Sequence, residues 1–279
     1  MSLVYLNGNY VKLEQARVNV LDRGFTFADA VYEVIPVFNG SVFRFEEHIQ
    51  RLDNSLREIY MENPLQPGQW QEIFKRLTQA VATPDQSIYL QVTRGVTERD
   101  HDIDLADTPT VFVMSRPLQK KDLGSGIKVI THDDIRWSYC HIKATTLLAS
   151  VLLRHRAKQQ GAKEAILIRE GHVTEGAASN VFIVKDNIVY TSPSDNEVLP
   201  GITRALILEL LQSGGIEFRE EKLPEAMLAT ADEIWIASST WEIVPVTQLD
   251  DKPVGGGQPG PVWQQALQLY QDYKKDYCQ

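Results

Sequence analysis

Cysteine is nearly missing. Cys140 and Cys278 are the only two in 279 residues, so no disulfide framework is available and a reducing, cytoplasmic setting fits. The stretch MSLVYLNGNY has no basic segment followed by an apolar one, so no secretory signal is read there. No apolar run approaches the ~20 residues that cross a bilayer. Positive charge is in deficit: 28 Lys and Arg against 37 Asp and Glu leave −9. That is the wrong sign for a nucleic-acid binder, whose affinity comes from replacing counterions with Lys and Arg. The six histidines form no H-E-x-x-H and have no C-x-x-C beside them, so no metal site is expected. A G-x-S-x-G elbow and a Walker A loop are also lacking, which removes the common hydrolase and NTPase chemistries. No repeat or low-complexity segment appears. What remains is a globular chain, 43% hydrophobic and long enough for one or two domains.

Periodicity divides that chain. Asn7-Gly8 and Asn39-Gly40 read as hairpin turns, with strands over 3–7, 9–12, 31–38 and 41–45. Ile49, Leu52, Leu56 and Ile59 mark a helix over 46–61, and Trp70, Ile73, Leu77 and Val81 mark another over 69–81. Strands follow at 87–93 and 110–115. The polar stretch RPLQKKDLGSG over 116–126 is the linker candidate. Beyond it come a strand at 127–132, a helix over 144–160 with Leu147, Leu148, Val151 and Leu152 as its apolar face, and strands at 164–169, 180–184 and 188–191. A helix over 203–213, strands at 216–221 and 233–237 and a terminal helix over 262–275 complete the chain. The predicted architecture is α+β in two domains, 1–118 and 127–279, joined by a linker at 119–126. Gly255-Gly256-Gly257-Gln258-Pro259-Gly260 matches the dinucleotide spacing. It follows Asp250-Asp251-Lys252-Pro253 rather than a buried strand, so it reads as a surface loop.

Three clusters carry chemistry. Lys143 lies between Ile142 and the small or apolar run from Ala144 to Ser150. A partly desolvated lysine there favours the free amine, which can form a Schiff base with an aldehyde; the alternative is a lysine snorkelling at a helix start. Glu175 stands among small residues in Val173-Thr174-Glu175-Gly176-Ala177-Ala178-Ser179-Asn180, where a flat ligand can approach and a carboxylate can hold a pyridinium proton; the alternative is an exposed turn. Pro200-Gly201-Ile202-Thr203-Arg204 opens a helix whose first N–H groups suit an anion, or else Thr203 simply caps it.

In order along the chain, these clusters resemble the class IV, or fold-type IV, pyridoxal-phosphate aminotransferases. Asp22-Arg23-Gly24, Tyr32-Glu33-Val34 and His48-Ile49-Gln50-Arg51-Leu52 resemble that family's N-terminal motifs. Glu175-Gly176 with Ser179-Asn180-Val181-Phe182, and Leu199-Pro200-Gly201-Ile202-Thr203-Arg204, resemble its later ones. The resemblance implies a two-domain fold with the lysine and most cofactor contacts in the C-terminal domain. It implies pyridoxal 5'-phosphate, with Lys143 forming the Schiff base and moving the α-proton, Glu175 facing the pyridine nitrogen, and Arg51, Ile202, Thr203 and Ser239 holding the phosphate. Tyr32 would lie beside cofactor and substrate. It implies a homodimer acting on amino acids and 2-oxo acids.

The substrate rests on Arg99-Asp100-His101. This resembles the R-x-H with which the family's D-amino-acid members take the substrate carboxylate; the alternative is two solvated loop residues. The implied reaction turns D-alanine and 2-oxoglutarate into pyruvate and D-glutamate. Aminodeoxychorismate lyase, releasing 4-aminobenzoate and pyruvate, and transamination of branched-chain L-amino acids are the competing readings. Trp241, Ala177 and Ala178 depart from the subfamily pattern. Trp241 would either narrow the pocket or point into the core.

Overall fold

The computed structural model describes residues 3–104, 106, 108–119 and 122–278. Two compact units are present: Met1–Gln119 with Ile142–Thr146 and Cys278–Gln279, and Lys120–His141 with Leu147–Tyr277. Each mixes helices and strands, the α+β class expected. One assignment differs. The segment Ile142–Thr146 clusters with the first unit, so Lys143 belongs there and not to the C-terminal domain. Residues 120 and 121 of the anticipated linker lie outside the described residues.

The first unit is an antiparallel sheet with two long helices. β1 (Leu3–Leu6) and β2 (Asn9–Lys12) close over Asn7-Gly8, with φ of 47° and 84°, the primed geometry that a right-twisted hairpin requires. β3 (Ala30–Phe38) turns at Asn39-Gly40 into β4. β4 is only Ser41–Val42, because Arg44 adopts φ 55° and starts α2 (Phe45–Glu58). α3 (Pro67–Gln79), β5 (Gln86–Thr93) and β6 (Thr110–Pro117) follow a short α1 (Arg23–Thr26) and complete the order β2-β1-β6-β5-β3-β4. Ile35, Ile88, Leu90 and Val113 of the sheet meet Leu52, Leu56, Trp70 and Phe74 of the helices in one core. The buried face of α2 carries more than oil: His48, Arg51 and Ser55 recur every three to four residues along it. They form a polar seam on a helix side that periodicity alone would fill with apolar residues.

The second unit holds β7 (Ile127–Asp133), α4 (Leu148–Gln159), β8 (Glu164–Arg169), β9 (His172–Gly176), β10 (Asn180–Lys185) and β11 (Ile188–Thr191). α5 (Ile202–Ser213), β12 (Phe218–Glu220), β13 (Leu223–Pro224), α6 (Ala226–Ala229), β14 (Glu233–Ser238), β15 (Glu242–Leu249), β16 (Lys252–Pro253) and α7 (Pro261–Tyr277) follow. The sheet order is β12-β11-β10-β14-β15-β7-β8-β9-β13, with β16 on β15. β9 and β15 were not read from sequence. V-T-E-G resembles a turn, and only burial of every residue from Val173 to Gly176 makes it a strand.

The helix expected from Ala144 begins at Leu148. Thr145 donates its N–H to the Ala30 carbonyl (3.0 Å), and the Lys143 carbonyl accepts from Tyr32 N–H (2.9 Å). The edge of β3 therefore claims this backbone before a helix can. The apolar stripe of α4 also differs from expectation. Leu148 and Val151 are 72% and 59% exposed, and Leu153 and Ala157 are the buried positions. The glycine-rich loop after β16 is no dinucleotide site. Glu233 accepts from the N–H groups of Val262 (2.9 Å) and Trp263 (2.7 Å), so a carboxylate already fills the start of α7.

Candidate active site

In the first unit, Lys143 lies on a short segment fixed at both backbone groups. Its N–H donates to Ser55 Oγ (3.2 Å), and its carbonyl accepts from Tyr32. The ammonium sits 4.4 Å from the centre of the Tyr32 ring. Among the described residues no carboxylate pairs with it, so the amine is held in place without an ionic partner. Ile142 and Ala144 on either side anchor in the unit's core.

Arg51 reaches Glu33 through two parallel bonds of 2.8 Å, from Nε to Oε1 and from Nη2 to Oε2. His48 Nδ1 meets the same carboxylate at 2.8 Å. Glu33 is fully buried. Burial works against its charge, yet the guanidinium and the imidazole hold its carboxyl far below the usual range. Burial lowers the His48 pKa; Glu33 pulls the other way, and Arg51 and Lys143 add to the lowering. A carboxylate only accepts, so Nδ1 is the nitrogen that donates its proton to Glu33. Sequence motifs contained Glu33 and His48, but gave neither a role.

Arg99 and His101 also belong to the first unit, on the loop before β6, and both are exposed. The Arg99 guanidinium lies 4.8 Å from the Phe27 ring centre, and the His101 ring lies 5.4 Å from it. Neither forms an ion pair among the described residues.

In the second unit, Glu175 lies on β9, not in a turn, and is buried. Arg136 Nη1 donates to Glu175 Oε1, and Asn180 Nδ2 donates to Oε2 at 3.1 Å. Arg136 is itself clamped by Asp134, through Nε at 2.9 Å and Nη2 at 2.8 Å. Burial pushes the Glu175 carboxyl up, and Arg136 pulls it down. Asn180 also donates to the Leu199 carbonyl (2.9 Å), which ties the Glu175 strand to the turn before α5. A β-carbon at position 201 would run into this carboxamide, so the turn needs Gly201. Gly201 is the residue preceding α5, and Thr203 lies buried in the first turn, so Thr203 does not cap the helix. Ile202 opens the same turn. Ser239 stands in the tight turn between β14 and β15, beside Ser238, whose Oγ accepts from Trp241 N–H at 3.3 Å. Trp241 packs against the unit's core, with the Arg154 guanidinium 5.2 Å from its ring centre. Ala177 is buried in a small apolar cluster and Ala178 is exposed. Burial pushes the Cys140 thiol up to about 11.

The structure thus joins Lys143 with Tyr32, Arg51 with Glu33 and His48, and Glu175 with the turn that carries Ile202 and Thr203. Arg136 and Asn180 escaped the sequence reading as functional residues. For Asn180 the signal was present, since Ser179-Asn180 stands inside the quoted motif; Arg136 stands in none of them. Pyridoxal phosphate presents an aldehyde, a ring nitrogen and a phosphate. Among the described residues, the first unit offers an amine without an ionic partner and a buried guanidinium; the second unit, by itself, offers a buried carboxylate bonded at both oxygens and the N–H groups of a helix start. The donor set fits that cofactor.

Residues 30–249 match the family model of class IV amino-transferases. A D-alanine aminotransferase of Bacillus licheniformis is 40% identical over 261 residues, covering 93% of this chain and 92% of that protein. A D-alanine aminotransferase of Listeria monocytogenes is 38% identical, covering 96% and 94%. The branched-chain amino acid aminotransferase of T.th., solved with N-(5'-phosphopyridoxyl)-L-glutamate, superposes with a TM-score of 0.90 at 26% identity, covering 99% and 94%. With the motif residues in these places and a match across most of its length, the chain belongs to the class IV amino-transferases.

Proposed function

We propose that this protein transfers the amino group of D-amino acids, turning D-alanine and 2-oxoglutarate into pyruvate and D-glutamate. Its cofactor is pyridoxal 5'-phosphate, which supplies the electrophilic carbon and the electron sink. The observation that carries the D-amino-acid reading is the loop bearing Arg99 and His101. A guanidinium and an imidazole stand exposed in the lysine's own unit, and neither forms an ion pair among the described residues. That arrangement suits a substrate carboxylate. The full-length likeness to D-alanine aminotransferases supports it.

In this reading Lys143 Nζ takes the proton from the substrate α-carbon and returns it on the opposite pass. Tyr32 restricts where the amine can sit. Glu175, held by Arg136 and Asn180, would face the ring nitrogen of the bound cofactor and pair with its proton. The phosphate would be held by the Arg51 charge and by hydrogen bonds from Thr203, Ser239 and the Ile202 N–H.

The test is a coupled assay of pyruvate formed from D-alanine and 2-oxoglutarate, against 2-oxo acid formed from L-leucine. D-alanine should exceed L-leucine in kcat/KM by about 100-fold or more. Arg99→Ala should raise KM for D-alanine by about tenfold or more. Preference for L-leucine would overturn the D-amino-acid assignment. Pyruvate released from 4-amino-4-deoxychorismate without any amino acceptor would put the lyase in its place.

The exposed Leu148, Val151 and Leu152 on one helix exceed what a solvated helix carries. A second copy of the chain is the occupant we assign to that stripe, in a cytoplasmic homodimer. Sedimentation should give twice 31.6 kDa, and Leu148→Glu should move the population toward monomer. A monomeric wild type would refute the dimer.

A further inference from the structure

We propose that Arg23 is the positioning residue of the carboxylate grip: one buried guanidinium holds the loop that presents Arg99 and His101. The inference rests on the reading of those two residues given above.

Arg23 opens α1 and is only 4% exposed, although it carries a full charge. Its backbone N–H donates to the Gly95 carbonyl (2.8 Å). Its Nε donates to Asp29 Oδ2 at 2.8 Å. Its Nη1 donates to two backbone carbonyls, Asp100 at 2.6 Å and Asp102 at 3.2 Å. These carbonyls flank His101, and the first follows Arg99 directly. Among the described residues, every other hydrogen bond of residues 98–104 stays within that stretch: Asp100 N–H to Glu98, Asp102 N–H to Asp100 and Asp104 N–H to Asp102. Arg23 is therefore the polar anchor of the loop.

Charge explains why a guanidinium serves here. Asp29 is shared: Arg94 also grips it, at 2.7 and 3.1 Å. One carboxylate between two arginines leaves donors unspent, and a buried donor must find an acceptor. The loop carbonyls are those acceptors. A lysine could not serve three acceptors from one planar fork.

Phe27 is the second support. The guanidinium carbons of Arg23 and Arg99 each lie 4.8 Å from its ring centre, and His101 packs at 5.4 Å. The chain then bends at Ala28, with φ 57°. The Ala28 carbonyl accepts from Thr145 Oγ1 (3.0 Å), two residues past Lys143. One short segment, 23–28, thus carries the grip at one end and braces the lysine segment at the other. Displacing the loop should weaken the hold on the substrate carboxylate and leave the amine in place.

Arg23→Lys and Arg23→Met test this in the holoenzyme. Both should raise KM for D-alanine and for 2-oxoglutarate about tenfold, with kcat within about threefold and unchanged cofactor absorbance. Amide exchange of residues 98–104 should quicken in both variants and not in Arg99→Ala. Arg23→Lys keeps a cation beside Asp29, so it reports even if Arg23→Met folds poorly. If Arg99→Ala raises KM and Arg23→Lys leaves both KM and loop exchange at wild-type values, the positioning role is wrong. If Arg99→Ala itself leaves KM unchanged, the carboxylate-grip reading falls first, and unchanged loop exchange in Arg23→Lys would refute the anchor separately.

Discussion

Lys143→Ala should lower kcat by about ten-thousand-fold or more, the scale set by losing a nucleophile and proton carrier together. The structure makes the loss specific to the amine. Lys143 is fixed through its backbone, by Ser55 Oγ and by Tyr32 N–H, and alanine keeps both bonds. Its side chain makes no ion pair among the described residues, so truncation strands no buried charge. The melting temperature should therefore move little while turnover disappears. Lys143→Arg sharpens the test, because it keeps the charge over Tyr32 but cannot release a proton near neutral pH. It should be as inactive as alanine. Turnover above about 1% of wild type in either variant would remove Lys143 from the chemistry. The readout is a single-turnover measurement with D-alanine.

The second large effect is on stability. Glu33→Gln should cost about 3–5 kcal/mol, because it removes the buried carboxylate that grips the Arg51 guanidinium through two bonds. For a chain of this size that is a fall in melting temperature on the order of 10 °C. It should also weaken cofactor retention, since Glu33 fixes the fork of Arg51 through two bonds of 2.8 Å. The pH dependence has a definite sign. The Glu33 carboxyl is depressed in the folded state. Its contribution is therefore complete above the unfolded carboxylate value of ~4.3 and is lost as pH falls below it, through the folded value. The stability gap between wild type and Glu33→Gln should be full at pH 7 and narrow only in acid. Denaturant midpoints at pH 7 and pH 4 measure it. A gap that widens on acidification would contradict the depressed carboxyl.

Much of the site was legible because its motifs are local. Asp22-Arg23-Gly24, His48 to Leu52, Glu175 to Phe182 and Leu199 to Arg204 are each a stretch of no more than eight residues, so their parts are close in sequence as well as in space. The two hairpin turns and the helices α2, α3 and α5 were legible for the same reason. Legibility stopped where a long-range partner decided the outcome. The start of α4 is set by Ala30 and Tyr32, more than a hundred positions upstream of it. Its apolar stripe has the right period for a core and faces outward, because periodicity states that a face is apolar and not what covers it. β9 looks like a turn until both of its faces are buried.

The sequence by itself determined the family and the cofactor, and it singled out Lys143 and Glu175 as candidates, since each reading depends on residue types at short spacing. Tertiary structure alone decided which groups set their state. Lys143 belongs with the first unit, Glu33 and His48 govern Arg51, Arg136 clamps Glu175, and Arg23 holds the Arg99 loop through carbonyls 77 and 79 positions away. A buried charge must be paired wherever the fold brings it a partner, and nothing in local spacing says which partner that will be.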